Sequence, residues 1–167
     1  MKIAVMGYSG AGKSTLAKKL SQKLGCPLLH LDKVNFAPGW KERDRVQCQA
    51  EVRRFLENPS WVIDGNYGNF EMERRLEEAD RVILLLFPRR ICLIRALTRY
   101  LAFRHQVRDS AAEGCEEKFD LEFFLWLIRG GRAKAFRQRY DRIRRQYAAK
   151  VTVCSTPAEV WALEREI

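Results

Sequence analysis

The sequence has little with which to bind a metal through soft ligands. Histidine occurs twice among 167 residues, at His30 and His105, and the five cysteines, Cys26, Cys48, Cys92, Cys115 and Cys154, are scattered with no C-x-x-C spacing. That composition argues against a zinc cage and against a disulfide framework, and it fits free thiols in a reducing compartment. Long apolar runs are missing too: no stretch approaches the roughly 18 to 20 residues that cross a bilayer. No signal-like apolar segment precedes the first strand-like run, so the predicted location is cytoplasmic, without a membrane partner. Repeats and low-complexity tracts are absent, and 167 residues predict one domain, 1–167, with a single large core.

Acidic residues are scarce relative to basic ones, 21 against 31, for a net charge of +10. The surplus is local. Residues 81–150 hold 17 Lys and Arg against 7 Asp and Glu, whereas residues 1–80 hold 13 against 11. Such a field attracts nucleotides, phosphorylated substrates or nucleic acid, and charge alone does not separate them.

Against these absences stands one dense motif, Gly7-Tyr8-Ser9-Gly10-Ala11-Gly12-Lys13-Ser14-Thr15. It satisfies G-x-x-x-x-G-K-[ST], with an apolar strand-like run, Ile3 to Met6, before it and an amphipathic run from Leu16 after it. Glycines allow successive N–H groups to converge on phosphate oxygens, and the helix that follows points its positive end at the same anion. Lys13 is then the phosphate-binding cation and a catalytic candidate, while the Ser14 hydroxyl is a ligand for Mg²⁺. Gly7, Ser9, Gly10, Ala11, Gly12, Lys13, Ser14 and Thr15 together form the predicted ATP site.

The rest of the chain alternates strand and helix. Strands are predicted at Lys2–Met6, around Leu28–Leu31, at Trp61–Ile63, at Val82–Phe87 and at Lys150–Cys154. Helices are predicted at 13–24, ended by Gly25, at about 44–56 with Asp44 as N-cap, and at about 71–79, 91–104, 121–129, 133–149 and 158–166. Residues 33–41 read as a loop, and the polar stretch of about 105–118 as a lid. This pattern predicts an α/β three-layer sandwich with a five-stranded parallel sheet and a helical lid insertion between the fourth and fifth strands.

In an open parallel sheet, ligands bind beyond the carboxyl ends of the strands, where Asp32 and Asp64 follow the second and third apolar runs. Asp64 is the second predicted Mg²⁺ ligand, in a Walker-B-like place, and Asp32 the group that takes the acceptor's proton or orients it. An ordinary turn or cap aspartate is the competing reading of each. Arg104 and Arg108, with Arg99, straddle the start of the lid and are candidates to close over the transferred phosphoryl group, although solvated helix arginines are the plainer alternative. The basic run 129–150 has Phe136, Tyr140 and Tyr147 at offsets of four and seven, the buried stripe of an amphipathic helix. Its outer face is dense enough for non-specific, salt-dependent nucleic-acid binding.

With these residues in place, the chain resembles the nucleoside and nucleotide kinase branch of the P-loop proteins, adenylate-kinase-like, and within it the DNA topology modulation (FlaR-like) proteins. The likeness is carried by the phosphate loop, by Leu29-His30-Leu31-Asp32 followed by Trp40, by Trp61 through Gly68, and by Ala112-Glu113-Gly114-Cys115 with Lys118-Phe119-Asp120. It implies ATP and Mg²⁺ as ligands, a small-molecule phosphate acceptor, and a base-packing role for Ser155, Thr156 and Pro157. Adenylate kinases follow the third-strand Asp-Gly with an aromatic residue, a proline and an arginine that grips the acceptor. Here Asn66, Tyr67 and Gly68 stand there, so AMP is not the expected acceptor. Two functions follow: an ATP- and Mg²⁺-dependent small-molecule kinase, or an ATP-dependent nucleic-acid-binding regulator that uses the basic helix 129–150.

Overall fold

The computed structural model describes residues 1–104, 107, 109–116 and 119–167. Five strands, β1 (Lys2–Gly7), β2 (Leu28–His30), β5 (Trp61–Asp64), β6 (Arg81–Leu85) and β7 (Val151–Cys154), form one sheet in the order β2-β5-β1-β6-β7, and every pairing is parallel. The three-layer sandwich of the sequence analysis is therefore what the chain adopts. A parallel sheet must be covered on both faces, and alternation along each strand does this here. Ala4, Met6, Trp61, Ile63, Val82 and Leu84 enter one apolar cluster; Ile3, Val5, Val62, Ile83 and Leu85 enter the other.

The first cluster is closed by α2 (Leu31–Asn35), α3 (Arg45–Leu56), α4 (Met72–Glu78) and α7 (Lys134–Gln146), through side chains such as Val34, Val52, Leu76, Tyr140 and Ile143. The second is closed by α1 (Lys13–Leu24), α5 (Arg89–Ala102) and α8 (Pro157–Glu166), through Leu16, Leu20, Cys92 and Leu163. Local chemistry sets the helix ends. Gly25 takes φ 60° and closes α1, with the Cys26 N–H donating to the Ser21 carbonyl at 3.1 Å. The Asp44 side chain accepts the Gln47 N–H at 2.9 Å at the start of α3, and Thr156 and Glu159 form a reciprocal capping box on α8.

The structure departs from the sequence reading at residues 31–42. The chain does not run into a loop after the second strand; it turns at once into α2, so Asp32 sits in a first helical turn rather than at a strand end. A short hairpin of β3 (Phe36–Ala37) and β4 (Lys41–Glu42) follows. Its tip is held by residues of the predicted lid: the Gly39 N–H donates to the Gly114 carbonyl at 3.1 Å, the Cys115 thiol to the Ala37 carbonyl at 3.3 Å, and the Trp40 indole to the Glu116 carbonyl at 3.0 Å. Phe36 and Trp40 pack on Ala111, Ala112 and Cys115 as a third, smaller apolar cluster. Pro38 and Gly39 still make the turn, at the hairpin tip, while apolar contact organises the residues on either side of it. Helix α6 (Leu121–Ile128) and a 3-10 turn at Gly130–Arg132 lead into α7, so the Gly-Gly pair is a break between helices, as expected. No helix among the described residues is long and apolar enough to cross a membrane.

All five cysteines are free and buried, and burial pushes the thiols of Cys26, Cys48, Cys92 and Cys154 up, Cys154 to about 11. Thiolates are the reactive form. The native protein at mildly alkaline pH should thus give less than one equivalent of rapid reaction with Ellman's reagent, and five after denaturation in guanidinium. A fast native equivalent would show that one of these sites is open.

Candidate active site

The central strand β1 delivers Gly7 to the carboxyl edge of the sheet, and the loop from Gly7 to Gly12 turns there through three glycines with φ of 136°, 76° and 93° at Gly7, Gly10 and Gly12. Close approach accompanies the unusual dihedrals. A Cβ on Gly7 would overlap the Leu85 carbonyl oxygen, and one on Gly10 would lie 2.5 Å from the Cys92 carbonyl oxygen. No side chain caps α1 at Gly12. The first-turn N–H groups, which have no helical carbonyl to donate to, are left at the end of the loop, the arrangement that suits an anion. Lys13 bends back so that Nζ donates to the Tyr8 carbonyl at 3.1 Å, and the Trp126 indole N–H donates to Ser9 Oγ at 3.2 Å.

Two clefts flank this loop and share Gly12, Thr15 and Arg95. One is polar and is lined by Gly10, Gly12, Lys13, Ser14, Thr15, Arg95 and Arg99. The other runs between α1 and α8 and adds Ala11, Pro157, Val160 and Trp161. Arg95 was not singled out by sequence reasoning. Its signal was its place two turns into the helix after the fourth sheet strand, where a side chain reaches back over the phosphate loop. Arg104 is exposed in the turn after α5, at the start of the expected lid, and lines neither cleft; Arg108 lies outside the described residues. Ser155 and Thr156 take part in capping α8. Their N–H groups donate to the Glu159 carboxylate and the Thr156 hydroxyl accepts the Glu159 N–H. Of that trio it is Pro157 that borders the cleft.

On the other side of β1 lie the two aspartates. Asp64 ends β5 opposite Val5, is 5% exposed, and its Oδ2 lies 2.9 Å from His30 Nδ1. Its Oδ1 is buried with no hydrogen-bond partner among the described residues. An orphaned carboxylate oxygen is costly unless something positive meets it. The half-buried Asp32 accepts the Tyr67 hydroxyl at 2.8 Å. Burial, and next the Asp32 carboxylate, push the Tyr67 phenol well up, so it stays a donor. Neither partner, His30 or Tyr67, was assigned a role from sequence, because the two contacts join residues 34 and 35 positions apart in the chain.

The segment that carries Asp64 and Tyr67 is held from beneath by Arg75, which is 1% exposed and donates to the carbonyls of Phe70, Gly65 and Tyr67. Burial lowers this guanidinium to about 10. Arg132 lies with its guanidinium carbon 3.8 Å from the centre of the Tyr8 ring and donates to the Phe87 carbonyl at 2.8 Å. On α7, Lys134, Arg137, Arg142, Arg144 and Arg145 are exposed and Arg139 is half-buried; of the predicted stripe Tyr140 is buried and Phe136 and Tyr147 are half-buried, and Ile143 is buried beside them.

Comparison with known proteins agrees with this geometry. No family model matches the chain. Adenylate kinase of Mycolicibacterium smegmatis is 30% identical over 119 residues, 68% of this chain and 62% of that protein, and the enzyme of Magnetococcus marinus is 34% identical over 116 residues, 65% and 51%. The chain thus spans just under two thirds or less of the length of these curated relatives. Among solved structures, shikimate kinase from Acinetobacter baumannii, in complex with shikimate, aligns over 99% of this chain and 89% of its own, with a TM-score of 0.56 at 18% identity. Deoxyadenosine kinase from M. mycoides with bound dATP aligns over 99% and 98%, with a TM-score of 0.55 at 14% identity. The fold is that of the P-loop kinases.

The glycine geometry has a measurable consequence. Gly7→Ala combines a forbidden φ with backbone overlap and should cost about 3 kcal/mol in urea unfolding, whereas Gly25→Ala, strained in φ but facing open space, should cost about 1 kcal/mol. Equal losses would contradict the close approach at Gly7.

Proposed function

We propose that the chain is an ATP- and Mg²⁺-dependent phosphotransferase of the nucleotide-kinase type, which transfers the γ-phosphate to a hydroxyl of a small acceptor. The observation that carries this reading is the uncapped start of α1 opening on a polar cleft with Lys13, Ser14, Arg95 and Arg99 around it. Such a cleft binds a polyphosphate, and the aromatic and proline-lined cleft that shares three of its residues suits the attached base. The adenylate kinase relatives support the nucleotide, and the resemblance to FlaR-like proteins adds the narrower family.

Each residue then has a part. Lys13, withdrawn onto Tyr8, swings to the β- and γ-phosphates when they arrive, and Arg95 and Arg99 lie over the charge that spreads onto the transferred group. Arg104 and Arg108 are the further cations assigned to close over that group. Ser14 and Asp64 would hold Mg²⁺. An alcohol and a carboxylate with one unsatisfied buried oxygen are the hard oxygen donors this ion prefers. Mg²⁺, when bound, neutralises charge between the phosphates. Asp32 receives the acceptor's proton, and Tyr67 holds it in place meanwhile. Pro157, with Trp161 and Arg95, sandwiches the base.

ADP release with Mg·ATP, measured against nucleosides, nucleoside monophosphates, small hydroxy acids and duplex DNA, tests this directly. Turnover should depend on one acceptor class, fall on the order of a hundredfold or more in Lys13→Ala, and fall about a hundredfold or more in Asp32→Asn with ATP binding retained. Slow hydrolysis that only DNA stimulates would replace the kinase with a nucleic-acid-directed switch. Trp161→Ala should weaken ATP about tenfold and leave tripolyphosphate binding unchanged; an equal effect on both ligands would remove Trp161 from the base site.

A further inference from the structure

At the mouth of the phosphate loop a side chain completes the sheet. Strand β5 runs beside β1 as far as the pair Val5 and Asp64, and the Gly65 N–H still donates to the Val5 carbonyl at 3.1 Å. Gly65 then turns with φ 141° and the β5 backbone leaves the sheet, while β1 continues to Gly7 along β6. On the edge that β5 has left, Asn66 Oδ1 accepts the Gly7 N–H at 3.0 Å and Asn66 Nδ2 donates to the Gly7 carbonyl at 2.7 Å. One donor and one acceptor on a planar group reproduce the peptide that β5 would have supplied. Aspartate would offer two acceptors to a carbonyl, and an apolar residue would offer nothing. Asn66 is itself held from the far side, since Arg139 of α7 donates to its backbone carbonyl at 3.1 Å.

We infer that Asn66 is a positioning residue of the phosphate loop, and that the run Arg139, Asn66, Gly7 ties helix α7 and the segment 64–68 to the cradle. The inference rests on the reading of Gly7 to Thr15 as a phosphate site. Gly7 contributes the first peptide of the loop, so its orientation decides where the following N–H groups converge. The same segment carries Asp64 and Tyr67, the groups assigned to metal and acceptor. The two substrate sides of the site therefore share one hinge residue.

The test is calorimetric binding of Mg·ATP and of Mg·tripolyphosphate to the whole chain and to Asn66→Asp, with thermal unfolding to confirm that the variant folds. Both ligands should weaken by at least tenfold and by the same factor, because the defect lies in the cradle and not in the base cleft. Asn66→Gln, which keeps one amide donor and one acceptor, should regain part of the affinity for both ligands at an unchanged unfolding midpoint; no regain in a folded Asn66→Gln would overturn the inference. A folded Asn66→Asp that binds tripolyphosphate like the wild type overturns the inference and leaves the kinase reading intact. If Asn66→Asp does not fold, Arg139→Ala decides: a loss of about threefold for both ligands supports the inference, and unchanged binding overturns it. Failure of the wild type to bind either ligand would instead overturn the phosphate-site reading on which the inference rests.

Discussion

Gly7 ends the central strand where a Cβ would overlap the Leu85 carbonyl oxygen, and its φ of 136° is open to almost no other residue. β1 and β6 can pass there only as bare backbone. That closeness lets the chain leave the sheet in a tight arc, bring Gly10 against the backbone of Cys92 and start α1 with its N–H groups turned back toward the arc. Were the first glycine larger, the loop would have to stand off from β6, and Lys13, Arg95 and the helix terminus would no longer surround one volume. Burial of β1 on both faces makes the arrangement rigid: Ile3, Ala4, Val5 and Met6 are all fully buried, so the strand cannot shift to relieve a clash at its end.

What could be read from the sequence is what contiguous residues encode. The glycine-rich turn between β1 and α1, the five sheet strands, the Asp44 cap and the Gly25 stop each depend on chemistry within a few positions, and each is found where it was expected. Asp32 was assigned to a strand end because it follows the short, largely apolar run Leu28-Leu29-His30-Leu31, yet Leu31 and Val34 bury themselves as a helical pair and draw Asp32 into a turn. Arg95, Trp161 and His30 were given no part in a site by the sequence, and Asn66 stood out only at the place where adenylate kinases grip the acceptor. Each acquires its meaning from an element far away in the chain, the phosphate loop for Arg95 and Asn66, α1 for Trp161 and β5 for His30. Lone residues of these types carry no spacing signal.

The basic segment shows how charge density misleads when read along a line. Two of its arginines turn inward, Arg132 onto the Tyr8 ring and Arg139 onto the Asn66 carbonyl, and so belong to the framework of the site. Their neighbours Arg142, Arg144 and Arg145 remain in solvent, where they raise the field around the molecule without any fixed geometry. One helix thus serves the core through Tyr140 and Ile143, the loop through Arg139 and the solvent through the rest.

The strand order has a further consequence, for the time course of folding. β1 is made first but pairs with β5 and β6, whose residues begin about sixty and eighty positions later. At ribosomal speeds of roughly 5 to 20 residues per second, the central strand waits several seconds without a strand partner. Helix α1 gives it partial cover through Leu16 and Leu20, as local contacts form before distant ones. The glycine-rich arc that shapes the site in the finished molecule is, in the nascent one, the joint that allows this early helix to fold back over its strand.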